Sequence, residues 1–151
     1  MCPSIDLKGA QDWTQAMRQD SGSPIADSLA KNVVLEATAL QLPVSGKTNV
    51  KQVLEAASKI YETLEFTEQA GSGSRQYIEW RARAFGGQEL RGVTVVTRDN
   101  EGAIARLAIH HRPMFGALEF SVTLADRLAG VIDERHFLPR SIKDCMKDNK
   151  A

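Results

Sequence analysis

Cysteine is scarce in this chain: Cys2 and Cys145 are the only two in 151 residues, and they stand near opposite ends. That scarcity excludes a disulfide framework or a cysteine-built metal site, and two reduced, unpaired thiols are expected. Charge of one sign is lacking as well. With 19 basic side chains against 19 acidic ones the formal net charge is zero, so the electrostatic footprint of a nucleic-acid or acidic-membrane partner is missing and neither partner is expected. No apolar run approaches the ~18 residues of a membrane span, and the N-terminus carries no charged segment followed by an apolar one, which makes the cytoplasm the expected compartment. Histidine occurs three times, without a His-x-x-x-His spacing and without a third ligand at matching distance. A metal site is therefore not expected, and no cofactor motif is present.

What is there describes one globular domain. Hydrophobic residues at 42% and charged residues at 25% are ordinary proportions, and a chain of this length buries close to 70% of its unfolded surface. No internal repeat divides it. A single domain over 1–151 is expected, with its core at about 10–128 and an arm or tail at 129–151, which would support a dimer if Phe137 and Leu138 docked on a partner subunit.

Along the chain, Trp13 and Met17 anchor a short helix, and a second is expected from Ile25 to Lys31 after the break at Ser23 and Pro24. The segment VVLEATALQL reads as a strand, and Pro43 and Gly46 stop it. From Thr48, the expected cap, the period changes: Val50, Val53, Leu54, Ala57, Ile60, Tyr61 and Leu64 recur at helical spacing, a stripe that is either core or a partner-binding face. LEFTEQ reads as a strand and AGSGS at 70–74 as a flexible connection. After Pro113, Phe115, Leu118, Val122, Ala125 and Leu128 mark a helix, although Phe120, Val122 and Leu124 also alternate as a strand would.

The richest stretch is 75–113, three amphipathic runs joined by two tight turns. Because side chains alternate along a strand, its faces can be separated. A loop of Gly86, Gly87 and Gln88 gathers Ile78, Trp80 and Ala82 on one face without burying Glu79 and Arg81, and it pairs Trp80 with Thr94. A loop of Asp99 to Gly102 sets Val96 opposite Ala105 and Thr94 opposite Leu107. The inner face then holds Ile78, Trp80, Ala82, Thr94, Val96, Ala105, Leu107, Ile109 and His111. On the outer face Tyr77, Val93, Val95 and Ala108 lie among Glu79, Arg81, Arg83, Arg91, Arg106 and His110. Two valines, an alanine and a tyrosine at the centre of a solvated sheet point to a dimer interface or a covering helix on that face, and a homodimer through it is the expectation.

The arrangement VVLEATALQLPVSGKTNVKQVLEAASKIYETL, with Gly46 before the long helix, and the last hairpin TRDNEGAIARLAIHHRP, with Gly102, Ala103 and Ile104 after its acidic turn, resemble the nuclear transport factor 2-like superfamily. Within it the similarity is to the ketosteroid-isomerase and SnoaL-like polyketide-cyclase branch. The resemblance covers about residues 10–128. It implies an α+β fold, a conical α+β barrel with a strongly curved, mostly antiparallel sheet wrapped around helices and an apolar pocket inside. It also implies a frequent homodimer.

The family's isomerases place a carboxylate base just before the turn that leads into the long helix and a protonated acid on the penultimate strand. This chain has Leu35, Glu36, Ala37 and Thr38 in the first region and Thr94 at the second position. Glu36 is one residue off, and an offset of one turns a strand side chain to the other face. Relatives of the dehydratase and cyclase kind project His or Asp from the sheet into the cavity, and His111 matches that role, since a neutral imidazole can act as a base near pH 7. The expected site is therefore His111 as base and Thr94 polarising an oxygen, in a pocket lined by Ile78, Trp80, Val96, Leu107, Ile109 and Tyr61. The expected function is small-molecule binding, with cofactor-independent isomerase, dehydratase or cyclase chemistry on an apolar, ring-containing metabolite. The alternative is a ligand-binding or protein-assembly module without catalysis.

Overall fold

The computed structural model describes residues 28–139, 141–142 and 144–145. Strand β1 (Leu29–Ala37) is followed by a two-residue strand β2 (Val44–Ser45), helix α1 (Lys47–Ser58), strands β3 (Thr63–Ser72), β4 (Arg75–Ala84), β5 (Gln88–Arg98) and β6 (Ile104–Arg112), helix α2 (Met114–Arg127) and a short 3-10 helix (Glu134–His136). The strands form one mixed sheet in the order β2-β1-β6-β5-β4-β3. Every neighbouring pair is antiparallel except β1 and β6, which run parallel. The order is open, with β2 and β3 as edges, and the expected α+β fold with a mostly antiparallel sheet is borne out, its helices packed on the sheet's inner face. On that face Val33, Leu35, Ile78, Trp80, Ala82, Leu90, Val96 and Leu107 form one cluster with Val50 and Leu54 of α1 and Phe120 and Leu124 of α2.

The helical stripe is core over Val50, Val53, Leu54 and Ala57, but the helix ends at Ser58. Ile60 and Tyr61 lie in the connection and Leu64 in β3, because β3 must start by Thr63 to pair Phe66 with Trp80. Thr48 does not cap α1. Gly46 holds the N-cap position at φ 92°, a conformation open to glycine, and no side chain bonds the first turn. Of the helix expected at Ile25–Lys31, Ser28 is helical, whereas Leu29, Ala30 and Lys31 belong to β1. The helix around Trp13 lies outside the described residues, as does Cys2, whereas Cys145 is free and exposed. The connection expected at 70–74 shrinks to Gly73 and Ser74, since β3 continues to Ser72 opposite Arg75.

Both hairpins of the meander keep the expected faces and change the expected partners. In β4–β5, Ile78 pairs with Thr94 and Trp80 with Gly92. The loop is Phe85, Gly86 and Gly87, all at positive φ, and not Gly86 to Gln88. Its exposed amides are held by Glu62, whose Oε1 accepts from the nitrogens of Gly86 and Gly87. In β5–β6, Val96 pairs with Leu107 and Thr94 with Ile109. A bulge opposite Thr97 and Arg98 takes up Ala105, so Ile104, only 1% exposed, fills the inner place expected of Ala105.

Helix α2 forms where expected but is turned. Gly116, Ala117, Phe120, Ser121 and Leu124 face the sheet, and Phe115 is exposed. Small residues win this face because the helix sits close on β5: a side chain at Gly116 would collide with Leu90. The segment after α2 is not a free arm in its described part. Ile132 and Phe137 are buried in this chain's own core, which overturns the expected docking of Phe137 on a partner. Ser121 ties the segment down, donating to the carbonyl of Ala39 (2.6 Å) and accepting from the amide of Leu138 (3.4 Å).

Candidate functional site

One rung of the sheet sets the site. Phe66, Trp80, Gly92 and His111 stand opposite one another across β3, β4, β5 and β6, all on the inner face. Gly92 is required there. A side chain on it would run into the indole of Trp80 and the carbonyl of His110, so the bare backbone lets the indole lie across β5 towards His111. The indole N–H donates to Thr94 Oγ1 at 3.1 Å, which fixes its tilt. Thr94 is 2% exposed and thus acts as an acceptor for Trp80 inside the core.

His111 is held from both sides. Its backbone amide donates to Thr38 Oγ1 (3.1 Å), just past the end of β1. Its imidazole packs edge-on to Trp80 (centroids 5.1 Å apart, 74°) and tilted against Phe120 (4.9 Å, 36°). Tyr61, from the connection after α1, completes the group, lying 5.1 Å from Phe120 and 5.9 Å from Trp80. Its hydroxyl is 3.1 Å from His111 Nε2. The other ring nitrogen, Nδ1, is buried with no hydrogen-bond partner.

Burial decides the electrostatics. Desolvation by the surrounding rings, assisted by the charge of His110, lowers the His111 pKa to about 4, so the ring is neutral at pH 7. Burial pushes the Tyr61 hydroxyl upward, and it stays a proton donor. Glu36, the offset carboxylate of β1, faces outward as its register requires, in an exposed ion pair with Arg106 at 2.6 Å. No three His, Cys, Asp or Glu side chains gather as a metal site among the described residues.

Of the expected pocket residues, the structure brings His111, Tyr61 and Trp80 into mutual contact and places Ile78, Val96 and Leu107 in the packed core beside them, with Ile109 half-buried against it. The Thr94 hydroxyl accepts from Trp80, and the hydroxyl bonded to His111 is that of Tyr61. Phe120 was not anticipated. The signal for it was the spacing of Gly116, Ala117, Phe120, Ser121 and Leu124, a helical stripe whose small members mark the side nearest a sheet. A separate groove of about 1330 Å³ runs between α2, Gln41, Leu42 and the segment 129–139, and none of the four rings lines it. No described helix is long and apolar enough to cross a membrane.

No family model matches the sequence, and no curated protein matches it. Solved structures do. A steroid delta-isomerase from Pseudomonas aeruginosa superposes with a TM-score of 0.75 at 22% identity, over 85% of this chain and 97% of that one. A nuclear transport factor 2-like protein of unknown function from Mesorhizobium loti gives 0.64 at 18%, over 74% and 98%. A SnoaL-like family protein from Agrobacterium tumefaciens gives 0.58 at 19%, over 71% and 97%. The open mixed sheet, the two helices packed on its inner face and these superpositions give the chain the curved α+β fold that those structures share.

Proposed function

We propose that the protein binds an apolar, ring-containing metabolite at His111 and Tyr61 and moves a proton on it without a cofactor, as an isomerase, dehydratase or cyclase. The observation that carries this reading is the pairing of two ionisable groups in one aromatic enclosure, with His111 neutral and its Nδ1 unpartnered. With the imidazole proton on Nε2, that N–H donates to the Tyr61 oxygen. Two groups are then left to act: the lone pair of Nδ1 and the phenolic O–H. A carbonyl substrate whose oxygen accepts from Tyr61 would present its α-hydrogen to Nδ1. Proton removal forms an enolate held by the phenol and an imidazolium beside it, and return of the proton to another carbon completes an isomerisation. The low pKa of His111 suits this only because the enolate appears next to the new positive charge and offsets its desolvation.

The test is hydrogen–deuterium exchange at the α-carbon of fused-ring ketones such as 1-tetralone, followed by mass spectrometry in D₂O. The wild type should accelerate exchange, Tyr61→Phe should lose roughly 10²-fold as expected for one oxyanion donor, and His111→Gln should reduce the rate to background. Full exchange by His111→Gln would remove the histidine from the mechanism. The second reading, a non-catalytic module, is favoured by the mutual packing of Ile78, Val96 and Leu107, and ketone binding without exchange would establish it.

A further inference from the structure

Four buried side-chain polar atoms among the described residues have no hydrogen-bond partner: Oε1 of Gln69, Oε1 of Gln76, Oγ1 of Thr97 and Nδ1 of His111. Buried polar atoms are nearly always paired, so each exception needs a cause. Register shows that three of the four share the inner face. Gln69 stands opposite Ile78, and Gln76 opposite Val96, both core residues of that face. Gln69 and Gln76 are diagonal neighbours across β3 and β4, close enough for both side chains to reach one group. The residue directly opposite Gln76 on β3 is Gly71, which adds no side chain beside it. His111 lies on the rung of Gly92 and Gln76 on that of Val96. Four residues of strand separate those rungs, about 14 Å at ~3.4 Å per residue.

We infer that Gln69 and Gln76 form a second polar subsite, which accepts hydrogen bonds from a hydroxyl or N–H group at the far end of the ligand that His111 and Tyr61 engage. The inference rests on the proposed site at His111. It narrows the ligand to an elongated apolar molecule with a carbonyl at one end and a hydrogen-bond donor at the other. Two carboxamides on an apolar face favour a hydroxyl or N–H group and leave a methyl group unmatched, so the subsite confers specificity at a cost to the empty protein.

Two probes test it: para-acetyl-para′-hydroxybiphenyl and para-acetylbiphenyl, which differ only in the distal hydroxyl. Calorimetric titration of the wild type should show the hydroxylated probe bound about threefold to tenfold more tightly. In Gln69→Leu/Gln76→Leu, or in the near-isosteric Gln69→Met/Gln76→Met, that ratio should fall to one while affinity for para-acetylbiphenyl is kept. The unliganded variants should also melt above the wild type, because two unpaired buried oxygens are gone. A ratio of one in the wild type, a preference that survives in both variants, or no binding of either probe overturns the subsite. Binding of both probes unaffected by His111→Gln, with the hydroxyl preference still lost in the glutamine variants, would instead overturn the His111 site and leave the subsite standing.

Discussion

Stability should fall as pH is lowered through a window that belongs to His111. The folded protein binds a proton at this ring only near pH 4, whereas the unfolded chain binds it near the ordinary value of 6.5. Between these values the unfolded state carries the extra proton, so stability rises with pH from about 4 to about 6.5 and is flat above. At 1.36 kcal/mol per pKa unit, the lost stabilisation approaches about 3 kcal/mol at the bottom of the window and is about 2 kcal/mol between pH 7 and pH 5. For a domain of this size, 2 kcal/mol corresponds to a fall in Tm on the order of 4–8 °C. Asp133 does not contaminate the measurement: its hydrogen bonds from Arg135 hold its pKa down to about 2, so its contribution is lost only as pH falls below the ordinary carboxylate value. The assay is urea unfolding at pH 5, 6 and 7 for the wild type and for His111→Gln, which keeps a polar group for Tyr61 and removes the titration. The variant should lose the slope across this window. If both proteins show the same slope, the buried neutral imidazole is not its source.

Gly92→Ala should be among the most damaging single substitutions of the sheet, because the added methyl meets both the His110 carbonyl and the Trp80 ring. We expect a loss of about 3 kcal/mol, at the upper end of overpacking, by denaturant unfolding, and a cost under about 1 kcal/mol would mean the rung has slack. The second copy expected on the outer face would cover the row of Tyr77, Val95 and Ala108, in which Tyr77 is 42% exposed and Ala108 is buried. Val95→Asp should then sediment as a monomer where the wild type is a dimer, and an unchanged mass for both would place any interface elsewhere.

The faces of the meander were legible in the sequence, and its partners were not. A hairpin register displaced by two residues leaves every side chain on the same side of the sheet, so hydrophobic alternation cannot detect it. That is the displacement found in β4–β5, where Thr94 faces Ile78 and not Trp80. What decides between the two registers is the loop. Phe85 accepts a φ of 55°, an uncommon position for a residue with a side chain, and so permits Ala84 to pair with Gln88. The bulge at Ala105 was hidden for the same reason, since alternation inside a strand says nothing about where its partner skips a residue. Helix α2 was legible as a helix but not in its orientation, because counting large apolar residues favours Phe115 and Val122, whereas close approach to the sheet favours Gly116 and Ala117.

These two failures bear directly on the site. The register found is the one that puts Gly92, not Thr94, beside Trp80, and only a glycine lets the indole extend over β5 to meet the imidazole. The rotation found for α2 is the one that turns Phe120 inward to cover His111 and Tyr61. With the register expected from the sequence, Trp80 and Thr94 would be direct neighbours, and Thr94 would be the polar group nearest the indole's side of the cavity. In the structure Thr94 is diagonal to Trp80 and occupied by its N–H, which leaves the Tyr61 hydroxyl as the group bonded to His111. The inward placement of His111 was readable from strand alternation. Its aromatic surroundings depended on a strand register and a helix rotation, and at each a glycine, Gly92 or Gly116, leaves the room that a side chain would fill.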